Sequence, residues 1–127
     1  MRTGGKTVSG QVRVATKKIN VIGDFNARYS ATEFQCEISK GPGAPLIMVH
    51  TLGPNLARIE GGGRSWQGNP KFAPSFLKSW IDLGNAFRGI PNPQVYQVEG
   101  AGRQFRVEFP QRNERFVFLL DTNLPKL

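Results

Sequence analysis

The chain has 127 residues, with 17 Lys+Arg against 9 Asp+Glu for a formal charge of +8, and with nine Phe, one Cys and one His. That length fits a single domain, 1–127, which can bury a core without staples. The lone Cys36 excludes an internal disulfide, and there is no Cys/His cluster to hold zinc. The positive balance points to an anionic partner, whether nucleic acid, acidic lipid or acidic protein, and does not choose among them.

Residues 1–7 are polar and glycine-rich and are expected to be a flexible end. No apolar h-region is visible there, and no run of 18 or more apolar residues occurs anywhere, so neither a signal peptide nor a transmembrane helix is predicted. Val8, Gly10, Val12 and Val14 alternate with polar residues, which predicts a half-buried strand. Ile19, Val21, Gly23, Phe25, Ala27 and Tyr29 continue at period two after a Lys17-Lys18 turn, with Gly23 as the bend of a long strand. Residues 33–40 place Phe34, Cys36 and Ile38 on one face. Gly41-Pro42-Gly43 is a loop signal. An apolar run over 45–51 follows, broken by Leu52-Gly53-Pro54, and 56–60 resumes as a strand. Leu52 is a large apolar residue where turn chemistry favours a polar one. Residues 64–67 make one more short strand, with Trp66 facing the core.

The period then changes. Phe72, Phe76, Leu77, Trp80, Ile81, Leu83, Gly84 and Phe87 recur at helical spacing, which predicts a helix over 74–87 with Pro74 in its first turn and Gly89 and Pro91 ending it. Val95 and Val98 mark a short strand. Phe105, Val107 and Phe109 alternate in the next, and Phe116, Phe118 and Leu120 in the last. The expectation is an α+β, mainly β fold: a curved antiparallel half-barrel of about eight strands covered by one main helix.

Catalytic chemistry is not visible. Nucleophilic catalysis wants a base beside a hydroxyl or thiol, held by a third group. His50, the one imidazole, lies in a strand, and the nine acids are scattered without a shared spacing. Gly61-Gly62-Gly63-Arg64-Ser65 lacks the Gly-Lys-Ser/Thr signature of a phosphate loop and opens no helix. Cys36 reads as a small apolar residue on the buried face of its strand. The expectation is therefore no enzyme, no catalytic residue, no cofactor and no metal.

Three binding classes remain. Arg103, Arg106, Arg112 and Arg115 lie among the C-terminal phenylalanines and could form a patch for an anionic partner, nucleic acid included. Exposed sheet edges could join copies or partners in an assembly, and the oligomeric state is open. The third class is an apolar-ligand carrier. Phe25, Phe34, Phe76 and Trp80, with Phe105, Phe109 and Phe118, are expected to face the space between sheet and helix, where they either fill it or line a pocket for acyl chains.

Phe34–Ile38, the Gly-Pro-Gly loop, Leu46–Thr51, Leu52-Gly53 and Leu56-Ala57-Arg58-Ile59-Glu60 with its following glycines resemble the middle of bacterial outer-membrane lipoprotein carriers and receptors of the LolA/LolB type. Residues 76–87 look like the covering helix of that family, and 104–109 and 115–120 like its closing strands. The resemblance implies a curved antiparallel sheet with a hydrophobic cavity for lipoprotein acyl chains, no metal, no cofactor and no catalysis. It implies a place in the periplasm or at the periplasmic face of the outer membrane if a leader has been removed. It also makes Leu52 the candidate loop residue for contact with a membrane or partner.

Overall fold

Period-two alternation needs neighbouring strands to satisfy its backbone, and the short turns between the runs supply them in chain order. In the computed structural model, which describes residues 5–41 and 45–123, nine strands form one open antiparallel sheet with one main helix across it. The strands are β1 (Lys6–Ala15), β2 (Asn20–Tyr29), β3 (Glu33–Ser39), β4 (Ile47–Leu52), β5 (Leu56–Gly61), β6 (Arg64–Gly68), β7 (Gln97–Ala101), β8 (Gln104–Phe109) and β9 (Glu114–Leu120). The helix α1 spans Lys78–Phe87, between β6 and β7. The sheet order is β6-β5-β4-β3-β2-β1-β9-β8-β7. Two meanders are joined by one long-range pairing of β1 with β9, in which Gly10 lies opposite Leu120 and Ala15 opposite Arg115.

The expected α+β, mainly β class and the covering helix are borne out, with adjustments. There are nine strands rather than about eight. Lys6 and Thr7 are paired with Tyr29 and Arg28, so the expected flexible end does not reach residue 7; residues 1–4 lie outside the described residues, as do Pro42, Gly43 and Ala44 of the predicted loop. The helix begins four residues late. Ser75–Leu77 is a 3₁₀ turn, as is Pro70–Phe72, whose entry is capped by the Asn69 side chain accepting from the Lys71 amide. β7 starts at Gln97, leaving Val95 and Tyr96 in the segment that leads into it.

The sheet curls around the helix. Phe34 on β3 and Phe105 on β8 are four strand steps apart, about 19 Å in a flat sheet. Yet their rings lie 5.5 and 5.0 Å from the single ring of Phe87. The inward phases of seven strands, β1 to β5 with β8 and β9, and the apolar face of α1 enclose one core. Gly10 sits on the inward phase where β1 meets β9. A Cβ there would stand 2.0 Å from the Leu119 carbonyl oxygen, so only glycine permits the close approach.

Candidate functional site

Of the seven residues expected to face the space between sheet and helix, six are there and buried: Phe25, Phe34, Trp80, Phe105, Phe109 and Phe118. They touch one another or intermediaries edge-on. Phe25 and Phe118 lie 4.8 Å apart, and Trp80 and Phe116 lie 4.9 Å apart, between ring centroids. Phe87 completes the set. Its ring lies within 5.0–6.5 Å of those of Phe25, Tyr29, Phe34, Phe105 and Phe118. Such contacts are the offset and edge-to-face arrangements of a packed aromatic core. The helix side chain therefore occupies the middle of the bowl.

Phe76 is a correction. It is 43% exposed, outside the bowl, with the Lys18 ammonium 5.7 Å above its ring. The reason is local. A 3₁₀ turn advances each residue by a third of a turn, so the 3.6-residue phase of α1 does not carry back to position 76.

The helix is tied at both ends by polar contacts. At its start, the buried Ser79 hydroxyl donates to Glu114 Oε1 at 2.5 Å and accepts from Arg112 Nη1 at 3.1 Å. Arg112 also reaches Asp82 Oδ2 at 3.0 Å, and Glu114 Oε2 accepts the Lys17 amide at 3.3 Å. Burial pushes the Asp82 carboxyl above its ordinary value, with Arg112 pulling the other way. At its far end, Arg88 Nε donates to the Ser30 carbonyl at 2.7 Å. Burial lowers the Arg88 value, which the neighbouring Tyr96 partly opposes. Of these residues the sequence singles out only Arg112, as part of a basic patch, and not the Ser79 and Asp82 contacts that hold it. One signal was available: Glu114 stands in the same strand phase as Phe116, Phe118 and Leu120, so it had to point inward.

Beside this far end a groove of about 400 Å³ opens between sheet and helix, with Thr51, Pro54 and Pro70 on one side and Ile81, Asn85 and Ile90 on the other. Of its lining residues, Ile81 packs against the core. A second groove, about 430 Å³, lies on the opposite face of the sheet across β2–β5 and is lined by charges of both signs, including Arg28, Glu37, Arg58 and Glu60. His50 stands on this outer face with Nε2 2.7 Å from Glu33 Oε2. Cys36 is buried, and burial with the nearby Glu37 charge pushes its thiol up to about 12, far from a reactive thiolate.

Leu52 is the last residue of β4 and lies on the outer phase, opposite Leu56 across the hairpin; the two are 38% and 39% exposed. It neither folds into the core nor stands at the tip, which is Gly53-Pro54-Asn55. Gly53, with φ 61°, makes the turn, and its amide is held by the Thr32 carbonyl.

The four C-terminal arginines do not form one free patch. Arg106 pairs with Glu99 at 2.6 Å and Glu108 at 3.3 Å, and Arg112 is held by Asp82. Cross-strand register brings acids to these two, which an inventory of charges does not show. Arg103 and Arg115 are exposed and outside any ion pair among the described residues. No family model and no curated protein matches this chain.

Proposed function

We propose that the domain is a non-catalytic, receptor-like binding protein for an acyl chain or another slender apolar ligand, held between sheet and helix, with α1 as its movable cover. One observation carries the reading. The concave face is apolar from β5 to β8, and the middle of it is filled by one side chain, Phe87, borne on a ten-residue helix. A ligand would enter at the groove beside Ile81 and Ile90, displace the Phe87 ring and take over its contacts. The helix is short enough to shift as a body, because its end fixings are hydrogen bonds rather than a second packed layer. The resemblance of the Leu52-Gly53 hairpin and covering helix to LolA/LolB-type proteins supports the same ligand class.

The test is titration of a fluorescent long-chain fatty acid into the wild type and into Arg88→Ala, which releases the far end of α1 from the Ser30 carbonyl. The reading expects saturable binding by both, competed by unlabelled fatty acid, with faster uptake by the variant. If neither protein shows saturable binding while both stay folded, the acyl-ligand reading is wrong.

A further inference from the structure

We propose that the end of the sheet carrying the β1–β2 turn docks on an anionic phospholipid surface. The inference goes beyond ligand binding in the bowl and does not depend on it. Arg13 and Ala15 on β1, Asn20 and Ile22 on β2 and Arg115 on β9 share the outer face at this end, because Arg13 is opposite Ile22 and Ala15 is opposite both Asn20 and Arg115. Lys17 and Lys18 form the turn above them. Lys40, just past β3, joins Arg13, Ala15 and Ile22 around a shallow groove of about 500 Å³ whose other walls are Val14, Asn20 and Val21.

Five cations, Arg13, Lys17, Lys18, Lys40 and Arg115, thus converge, and none of them is in an ion pair among the described residues. The nearest acids do not cancel them. Glu114 is buried and engaged with Ser79 and the Lys17 amide, Glu108 pairs with Arg106, and Asp24 stands one outward position beyond Ile22. Apolar groups lie within the charges. Ile22 is 63% exposed at the centre, and Phe76 sits under Lys18 at the edge.

Basic side chains around an exposed aliphatic residue and an aromatic ring match a lipid interface, where cations meet headgroups and apolar tips enter the acyl boundary. Single-stranded nucleic acid asks for open ring faces on which bases stack. Here the one aromatic ring at the site is covered by Lys18, and the central residue is aliphatic, so charge complementarity favours the membrane. The turn is also held in place for the task. Glu114 grips the Lys17 amide, and the Thr16 hydroxyl donates to the Ile19 carbonyl at 2.9 Å.

The experiment is co-sedimentation of the full chain with vesicles of pure phosphatidylcholine, and with vesicles of equal parts phosphatidylcholine and phosphatidylglycerol. Binding is expected only to the second, falling as salt rises. Lys17→Ser/Lys18→Ser is expected to weaken it about 25-fold, at about fivefold per cation, while Arg103→Ser at the other end of the sheet stays within about twofold. Ile22→Ser is expected to weaken the binding that persists at high salt. All four positions are exposed, and melting curves establish that each variant is folded. The proposal is overturned by no binding, by equal binding to both vesicles, or by an Arg103→Ser loss matching that of the lysine pair. Tighter binding to a homopolymeric single-stranded RNA than to the anionic vesicles, at the same ionic strength, would identify nucleic acid as the partner and overturn it as well.

Discussion

The Ser79 hydroxyl donates to the Glu114 carboxyl at 2.5 Å in the interior, joining the first turn of α1 to the first residue of β9. Both side chains are buried, and Glu114 has taken the place that the strand's alternation reserves for an apolar residue. A buried carboxyl that loses a donor keeps its desolvation cost and lacks the contact that offset it. Ser79→Ala is therefore expected to destabilise the fold by about 1–3 kcal/mol, read from urea unfolding. Amide exchange in the first turn of α1 should quicken more than exchange in β3. A loss below about 0.5 kcal/mol would show that Lys17 and water suffice for Glu114 without the serine.

Gly84 gives a second measure of how closely the helix lies on the sheet. A Cβ at this position would stand 2.9 Å from Phe34 Cβ and 3.2 Å from Arg88 Nη1. Alanine is the better helix former by about 1 kcal/mol. Forcing a methyl against a backbone-proximal atom costs about 1–3 kcal/mol. The clash is with Cβ rather than the end of a flexible chain, so it wins. Gly84→Ala is expected to lower stability by about 1 kcal/mol. A stabilised variant would mean that α1 rides higher over β3 than it stands here, and that the bowl has room to spare.

What the chain reveals by inspection is the part governed by local period. The inward phases of β1, β2, β3, β8 and β9 follow from Val12, Phe25, Phe34, Phe105 and Phe118 recurring every second residue, and all five are buried as that pattern requires. What depends on register between distant strands does not show. Arg106 is neutralised because β7 brings Glu99 beside it, and Arg13 stays outside any ion pair among the described residues because β9 offers it Val117. Register therefore pairs Arg106 and Arg112 in the C-terminal half and leaves the cations at the β1–β2 end outside ion pairs among the described residues. Phe76 leaves the inward phase for a different reason. It lies in a 3₁₀ turn whose own period is three, so the 3.6-residue phase of α1 does not reach it.

Asp82 carries a pH dependence whose sign follows from burial. Its folded value lies above the ordinary 3.8 because desolvation outweighs the Arg112 pair. Between 3.8 and that raised value the folded chain binds more protons than the unfolded one, so this group's contribution to stability falls as pH rises through the window and recovers on acidification. Asn at this position can still accept from Arg112 but does not titrate. The stability of the wild type minus that of Asp82→Asn, which cancels the other acids, is expected to decline as pH rises upward from about 3.8. A difference that grows with pH instead would mean that the Arg112 contact dominates and holds the carboxyl below its ordinary value.

Phe87 decides between a core that is only filled and a bowl that is plugged. Its ring meets Phe118 edge-on at 5.1 Å and Phe105 at 5.0 Å, so truncation removes partners from several strands at once. Phe87→Ala is expected to cost about 3–5 kcal/mol. The walls left behind belong to a curled sheet whose strands are fixed by hydrogen bonds to their neighbours, so they cannot close fully on the space. An apolar cavity of this kind stays dry and takes small apolar molecules. Benzene should then raise the melting temperature of Phe87→Ala and leave the wild type unchanged, by preferential binding to the folded state. A fluorescent fatty acid separates the two views. If the Phe87 ring stands where an acyl chain lies in the loaded protein, the variant binds the fatty acid more tightly than the wild type, because no ring has to be displaced. If the space is closed to chains at the groove beside Ile81 and Ile90, benzene enters, the fatty acid does not, and the helix is a structural part of the core.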